Sequence, residues 1–181
     1  MVALGSADFV TIGLGPPHWW NTRLHLAAAL ASDFTEIRGF VIHDERGRFL
    51  LMASPIEIRR ALTKTQPKLE QSYVEASGLA PPIGSKLDWI LMNYVASVSA
   101  CFGAAEKDAK EIVNSRALRE MGIRQEGEAV ERTPAFSPSS LNAEIMKKEL
   151  PFVVITNNGV VEGVVDRVKL VTRLARFAFS L

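Results

Sequence analysis

The chain has 181 residues, 48% of them hydrophobic, with 21 basic against 20 acidic side chains and a formal net charge of +1. That length fits one domain or one pseudo-symmetric pair with an insertion, and the apolar share supports a proper core and excludes a disordered chain. Near-neutrality removes the basic field that nucleic-acid binding needs and weakens the case for an anionic membrane surface. Cys101 is the one cysteine, so no intrachain disulfide forms, and a reducing, cytoplasmic setting is expected. The N-terminal MVALGSADFVTIGLG has no basic segment and carries Asp8 inside its apolar stretch, so no signal peptide is expected. No window reaches about 18 uninterrupted apolar residues, so no membrane span is expected either.

Asp8 to Ile12 reads as a short strand, broken by Gly-Leu-Gly-Pro-Pro. Asn21 or Thr22 caps a helix to about Ser32, with Leu24, Leu26, Ala27 and Leu30 as its buried positions. Phe40–His43 and Phe49–Ala53 are β-branched or apolar runs joined by the turn Asp44-Glu45-Arg46-Gly47, a hairpin. Ser54 then suits a helix N-cap and Pro55 the first helical position, opening a helix with the basic face Arg59, Arg60 and Lys64. A different region follows, from Gln66 to Val130. Within it, Leu87 to Phe102 has helical length and near-continuous burial character. Glu106 to Met121 reads as a charged helix with a Glu106–Lys110 pair, ended by Gly122.

Ser140 caps a further helix, and Phe152–Thr156 and Val160–Val165 form a second hairpin around Asn157-Asn158-Gly159, residues that tolerate positive φ. Asp166 caps a closing amphipathic helix carrying Leu170, Leu174 and Phe177. Arg23–Leu62 and Ser140–Phe177 therefore read as the same small unit written twice. A half-sized unit cannot bury its own apolar face and needs its twin.

The two copies resemble CBS domains, the cystathionine β-synthase type of regulatory module. The first copy gives VIHDERGRFLLMASPIEI, in which Asp44 and Gly47 match the family's turn, Ser54 its hydroxyl position and Glu57 its acidic position; Leu51 replaces a glycine. The second gives VITNNGVVEGVVDRVKLV, in which Gly159 and Gly163 match, Asp166 takes the hydroxyl position and Lys169 replaces the acid. The resemblance implies an α+β fold of two β-α-β-β-α halves packed sheet against sheet with pseudo-twofold symmetry. It divides the chain into a half at 8–65, a helical insertion at 66–130 and a second half at 131–181.

The resemblance further implies clefts between the halves for an adenosine-containing ligand: AMP, ADP, ATP or S-adenosylmethionine. The acid would take the ribose hydroxyls, the strand-end hydroxyl the ribose or phosphate, and the backbone of Val41 and Ile42 the base. Ser54 and Glu57 carry that chemistry. Asp166 and Lys169 do not repeat it, because an ammonium only donates hydrogen bonds. The expected function is a non-catalytic, ligand-sensing module, with an interaction adaptor as the alternative and a homodimer or other protein partner in either case. No residue pair offers a nucleophile with its base. His18, His25 and His43 lack metal spacing, and Cys101 lies in an apolar helix without a nucleophile's signature.

Overall fold

Two β-hairpins, each preceded by a parallel strand, organise the computed structural model, which describes residues 2–3, 8–15, 20–79, 85–102, 113–134 and 137–179. In chain order the elements are β1 (Val2–Ala3), β2 (Phe9–Gly13), α1 (Asn21–Phe34), β3 (Gly39–His43), β4 (Phe49–Ala53), α2 (Pro55–Thr65), α3 (Pro67–Gly78) and α4 (Lys86–Phe102). They continue with α5 (Ser115–Glu120), β5 (Gly127–Glu131), α6 (Pro138–Met146), β6 (Phe152–Asn157), β7 (Val160–Asp166) and α7 (Arg167–Phe179).

The strands make one sheet in the order β2-β3-β4 and another in the order β1-β7-β6-β5. In the first, β2 runs parallel to β3 and β3 antiparallel to β4; in the second, β5 runs parallel to β6 and β6 antiparallel to β7. Each half thus reads β-α-β-β-α, and the fold is α+β as the sequence implies. Both hairpins turn where the sequence places the turn. Asp44 Oδ1 accepts the amides of Arg46 and Arg48, each at 2.9 Å, and Gly47 takes a φ of 77°. In the second turn Asn158 and Gly159 take φ values of 52° and 77°.

Contacts divide the chain into two compact units. The sheet unit comprises Met1–Gly15, Ile37–Ser54 and Arg124–Leu181; the helical unit comprises Pro16–Glu36 and Pro55–Ile123. In the sheet unit Phe9, Val41 and Met52 from one sheet pack with Phe152, Val154 and Val164 from the other. Val41 and Val154 share this one core. Phe9 and Phe152 touch edge to face with centroids 5.2 Å apart, and burying each such ring contributes roughly 1.5–3 kcal/mol. Beyond β5–β7, Val130, Val153 and Ile155 pack with Ile145 and Leu141 of α6 and Leu170 of α7. In the helical unit, α1 packs on α2 and α3, α2 on α3, and α3 on α4, around Leu24, Ile58, Leu62, Leu69, Tyr73, Ile90 and Tyr94.

Several local expectations are corrected. Helix α1 starts at Asn21 behind Trp20, with no side-chain cap. Its buried residues are Asn21, Leu24, His25, Ala28, Ala29 and Ala31, while Leu26, Ala27 and Leu30 are only half-buried. The cap of α6 is Ser137, whose Oγ accepts the Ser140 amide at 3.2 Å. Of the expected helix from Glu106 to Met121, residues 106–112 lie outside the described residues, and α5 begins at Ser115, where the extended Asn114 caps it through the amides of Arg116 and Ala117. The Glu106–Lys110 pair lies outside the described residues. Strand β5, which completes the second half, has no counterpart in the sequence reading. Helix α4 is not buried all round, since Met92 is 70% and Val95 63% exposed.

Candidate functional site

Strand register fixes which residues of the two halves correspond. Thr11 pairs with Val41 and Val41 with Met52; Ala129 pairs with Val154 and Val154 with Val164. A bulge follows one residue later in both, at Ile42/His43 and at Ile155/Thr156. Counting outward, Leu51 corresponds to Gly163, and Ser54, one residue past β4, corresponds to Asp166 at the end of β7. The alignment suggested by the motifs is therefore the alignment of the strands.

The two corresponding ends have different chemistry. Ser54 is half-exposed and its hydroxyl donates to Glu126 Oε1 at 3.0 Å. Glu126 is itself fixed by its backbone: its amide donates to the Met52 carbonyl at 2.9 Å, and its carbonyl accepts the Phe152 amide at 3.3 Å. With its one proton given to Glu126, the serine hydroxyl keeps two acceptor lone pairs, and the carboxylate keeps about three further acceptor positions.

At the other end, Asp166 is buried and each of its carboxylate oxygens is bonded within the chain. Its Oδ1 accepts the Lys169 amide at 3.0 Å, capping α7, and its Oδ2 takes Arg38 Nη1 at 2.7 Å. The Arg38 guanidinium also lies 4.9 Å from the centre of the Phe152 ring, a cation–π contact. Lys169 Nζ lies 3.5 Å from Asp8 Oδ2. Burial raises the Asp166 pKa, but the Lys169 amide, the Arg38 hydrogen bond and the two cations outweigh it, and the carboxyl is held below its ordinary value.

The remaining expected residues lie as follows. Val41 faces the core between the sheets and Ile42 is fully buried in the same strand. Glu57 occupies the first turn of α2 in the helical unit and is paired with Arg60. The carboxylate on Ser54 is Glu126, which the sequence reading left unassigned because its partner lies 72 residues away. No cluster of three metal-ligating side chains exists among the described residues.

Sequence reasoning also missed a polar network inside the helical unit. His25 is fully buried and bonded to Glu70 and Tyr94; Arg59 clamps Glu70 and Asp33, and Tyr73 donates to Asp33. The available signal was the spacing of His25, Ala28 and Ala29, which puts the imidazole on the small-residue face of α1. Its partners on α2, α3 and α4 had no signature. Ser32, Asp33, Arg59, Thr63 and Glu70 also line an open groove.

The β-α-β-β-α connectivity is thus doubled, with matching register and matching bulges. Among solved structures, the chain is similar to a CBS domain-containing protein from Kribbella flavida, with 15% identity, 91% of each chain covered and a TM-score of 0.44. It is also similar to the CBS domain of a CBS domain-containing membrane protein from Sphaerobacter thermophilus, with 14% identity, 92% of this chain and 82% of that one covered, and a TM-score of 0.37. No protein-family profile and no curated protein matches the sequence. Among the described residues, no helix is long and apolar enough to cross a membrane.

Proposed function

We propose that the chain is a non-catalytic regulatory module of the CBS-pair type, taking one adenosine-containing ligand at the Ser54 end of the sheet unit. The observation that carries this reading is the unequal chemistry of two corresponding positions. The Asp166 end is filled by its own cations. The Ser54 end presents a half-exposed hydroxyl and the Glu126 carboxylate, a combination suited to adjacent ribose hydroxyls. A ligand there acts by linkage, favouring whichever arrangement of the protein it binds more tightly.

Thermal shift with AMP, ADP, ATP and S-adenosylmethionine tests the reading. At a ligand concentration of 100 times its Kd the stabilisation is about 2.7 kcal/mol. Ser54→Ala and Glu126→Ala are expected to abolish it. No shift with any of the four at millimolar concentration removes the nucleotide reading.

The exposed face of α4 favours a second reading, an interaction adaptor that forms a homodimer. Leu87, Leu91 and Val95 recur at four-residue spacing beside Met92, and all four are exposed. A twofold contact between copies covers such a stripe. Sedimentation is expected to show a dimer that Leu91→Glu dissociates; a monomer at every concentration rejects this reading.

A further inference from the structure

His25 lies where four helices meet, with a side-chain exposure of 0%. From α3, Glu70 Oε2 is 3.1 Å from Nε2, and the Tyr73 ring stands edge-on at 6.3 Å. From α4, the Tyr94 hydroxyl is 3.2 Å from Nδ1, and its ring stacks on the imidazole at 6.1 Å. From α2, Thr63 Oγ1 is 3.5 Å from Nε2, and Arg59 holds Glu70 through bonds of 2.6 and 2.9 Å. On α1 itself, Asp33 closes the network, accepting from Arg59 at 2.9 Å and from Tyr73 at 2.7 Å.

These partners set the tautomer. An ionised Glu70 only accepts, so Nε2 carries the hydrogen and Nδ1 is the acceptor, filled by the Tyr94 hydroxyl. A second proton enters only at Nδ1. It places a cation in a site without solvent contact, beside a carboxylate already clamped by Arg59. It also fixes the direction of the contact with α4: the Tyr94 hydroxyl, placed between Nδ1 at 3.2 Å and the Thr22 carbonyl at 3.3 Å, then accepts from the imidazolium and donates only to Thr22.

We propose that His25 is a proton-operated latch of the helical unit: neutral, it sits closed beneath α4, and because Nδ1 takes up its proton more readily with α4 lifted away, acidification loosens α4. Burial pushes the imidazole below its ordinary value; the Glu70 hydrogen bond and charge oppose this, and the Arg59 charge adds to it. The Arg59 hydrogen bond, against burial, holds Glu70 below its usual range, and burial pushes Tyr73 and Tyr94 up. Glu70 therefore stays charged and both tyrosines neutral across the window in which His25 titrates. An opened bundle protonates near the ordinary value of about 6.5, and the closed one only at lower pH. The latch is full above about 6.5 and weakens as pH falls through the lowered value.

Hydrogen exchange of the full chain at about pH 7.5 and about pH 5.5, corrected for intrinsic rates, tests the latch. Peptides covering 86–102 are expected to lose protection on acidification, by at most about tenfold per pH unit for one proton. Those covering β6 and β7 keep theirs. His25→Gln keeps a donor for Glu70 and does not titrate, so its α4 protection is expected to be flat. Unchanged α4 protection in the parent, or a parent-like slope in the glutamine variant, overturns the proposal. A nitrogen-15 titration of the parent imidazole gives the answer if that variant fails to fold. An unprotonated Nδ1 at about pH 6 in the closed form supports the latch; a protonated one with α4 fully protected overturns it.

Discussion

The two halves of the sheet unit solve the same packing problem with exchanged residues. At the first ladder rung of one half, Phe9 on the leading strand faces Gly39; at the corresponding rung of the other, Gly127 faces Phe152. One ring and one vacancy occur at each rung, in opposite order, so the two rings meet edge to face. Met52 occupies the space the glycines leave. A Cβ on Gly39 would come within 2.9 Å of Met52 Cε, and one on Gly127 within 2.7 Å of its Sδ and 2.9 Å of its Cβ. Duplicated connectivity does not require duplicated side chains. It requires that large and small residues alternate across the shared core.

Removing a ring tests this exchange most severely. Phe152→Ala is expected to cost about 3–5 kcal/mol in chemical denaturation, and Phe9→Ala a similar amount. The double variant is expected to lose less than the sum, because the rings contact each other. Full additivity would show that they stabilise separate regions. The glycines should differ next. Gly127→Ala meets the fixed stem of Met52 and is expected to cost about 1–3 kcal/mol, whereas Gly39→Ala crowds the flexible terminal methyl of Met52, touches the Phe9 ring at an ordinary 3.4 Å, and should cost less. Equal costs would contradict the asymmetry.

The hairpins were legible because their turns are local. Asp44 to Gly47 and Asn157 to Gly159 need positive φ at specific residues, and the apolar runs on either side have strand length. The same logic found Ser54, Asp166 and the correspondence between them. It did not find β5, since Gly-Glu-Ala-Val-Glu has two charges and a glycine and is a strand only because Phe152 to Thr156 offers it a ladder. Nor did it find Glu126, Arg38 or the His25 network: His25 meets Glu70 from 45 residues away, Ser54 meets Glu126 from 72, and Arg38 meets Asp166 from 128. Side chains that meet across such distances leave no period in the sequence. The burial of His25 is legible only once α2, α3 and α4 surround it.

The two strand ends provide the subtlest comparison. Asp166→Ala removes the cap of α7, a loss of about 1 kcal/mol, and with it the Arg38 ion pair. Ser54→Ala removes one hydrogen bond to a half-exposed carboxylate, and about 0.5–1.5 kcal/mol is expected. At neutral pH these costs overlap, so pH is what separates the ends. The Asp166 carboxyl is held below its unfolded value, so its contribution is present above that value and lost as pH falls through the lower, folded one. A neutral serine contributes no such slope. Stability measured from about pH 6 down to about pH 3 should therefore fall less steeply for Asp166→Ala than for the parent, while Ser54→Ala follows the parent's slope. The parent and the Asp166 variant losing stability in parallel would mean that Arg38 and Lys169 do not depress that carboxyl. The closed end of the pair would then rest on packing against Phe152 rather than on charge.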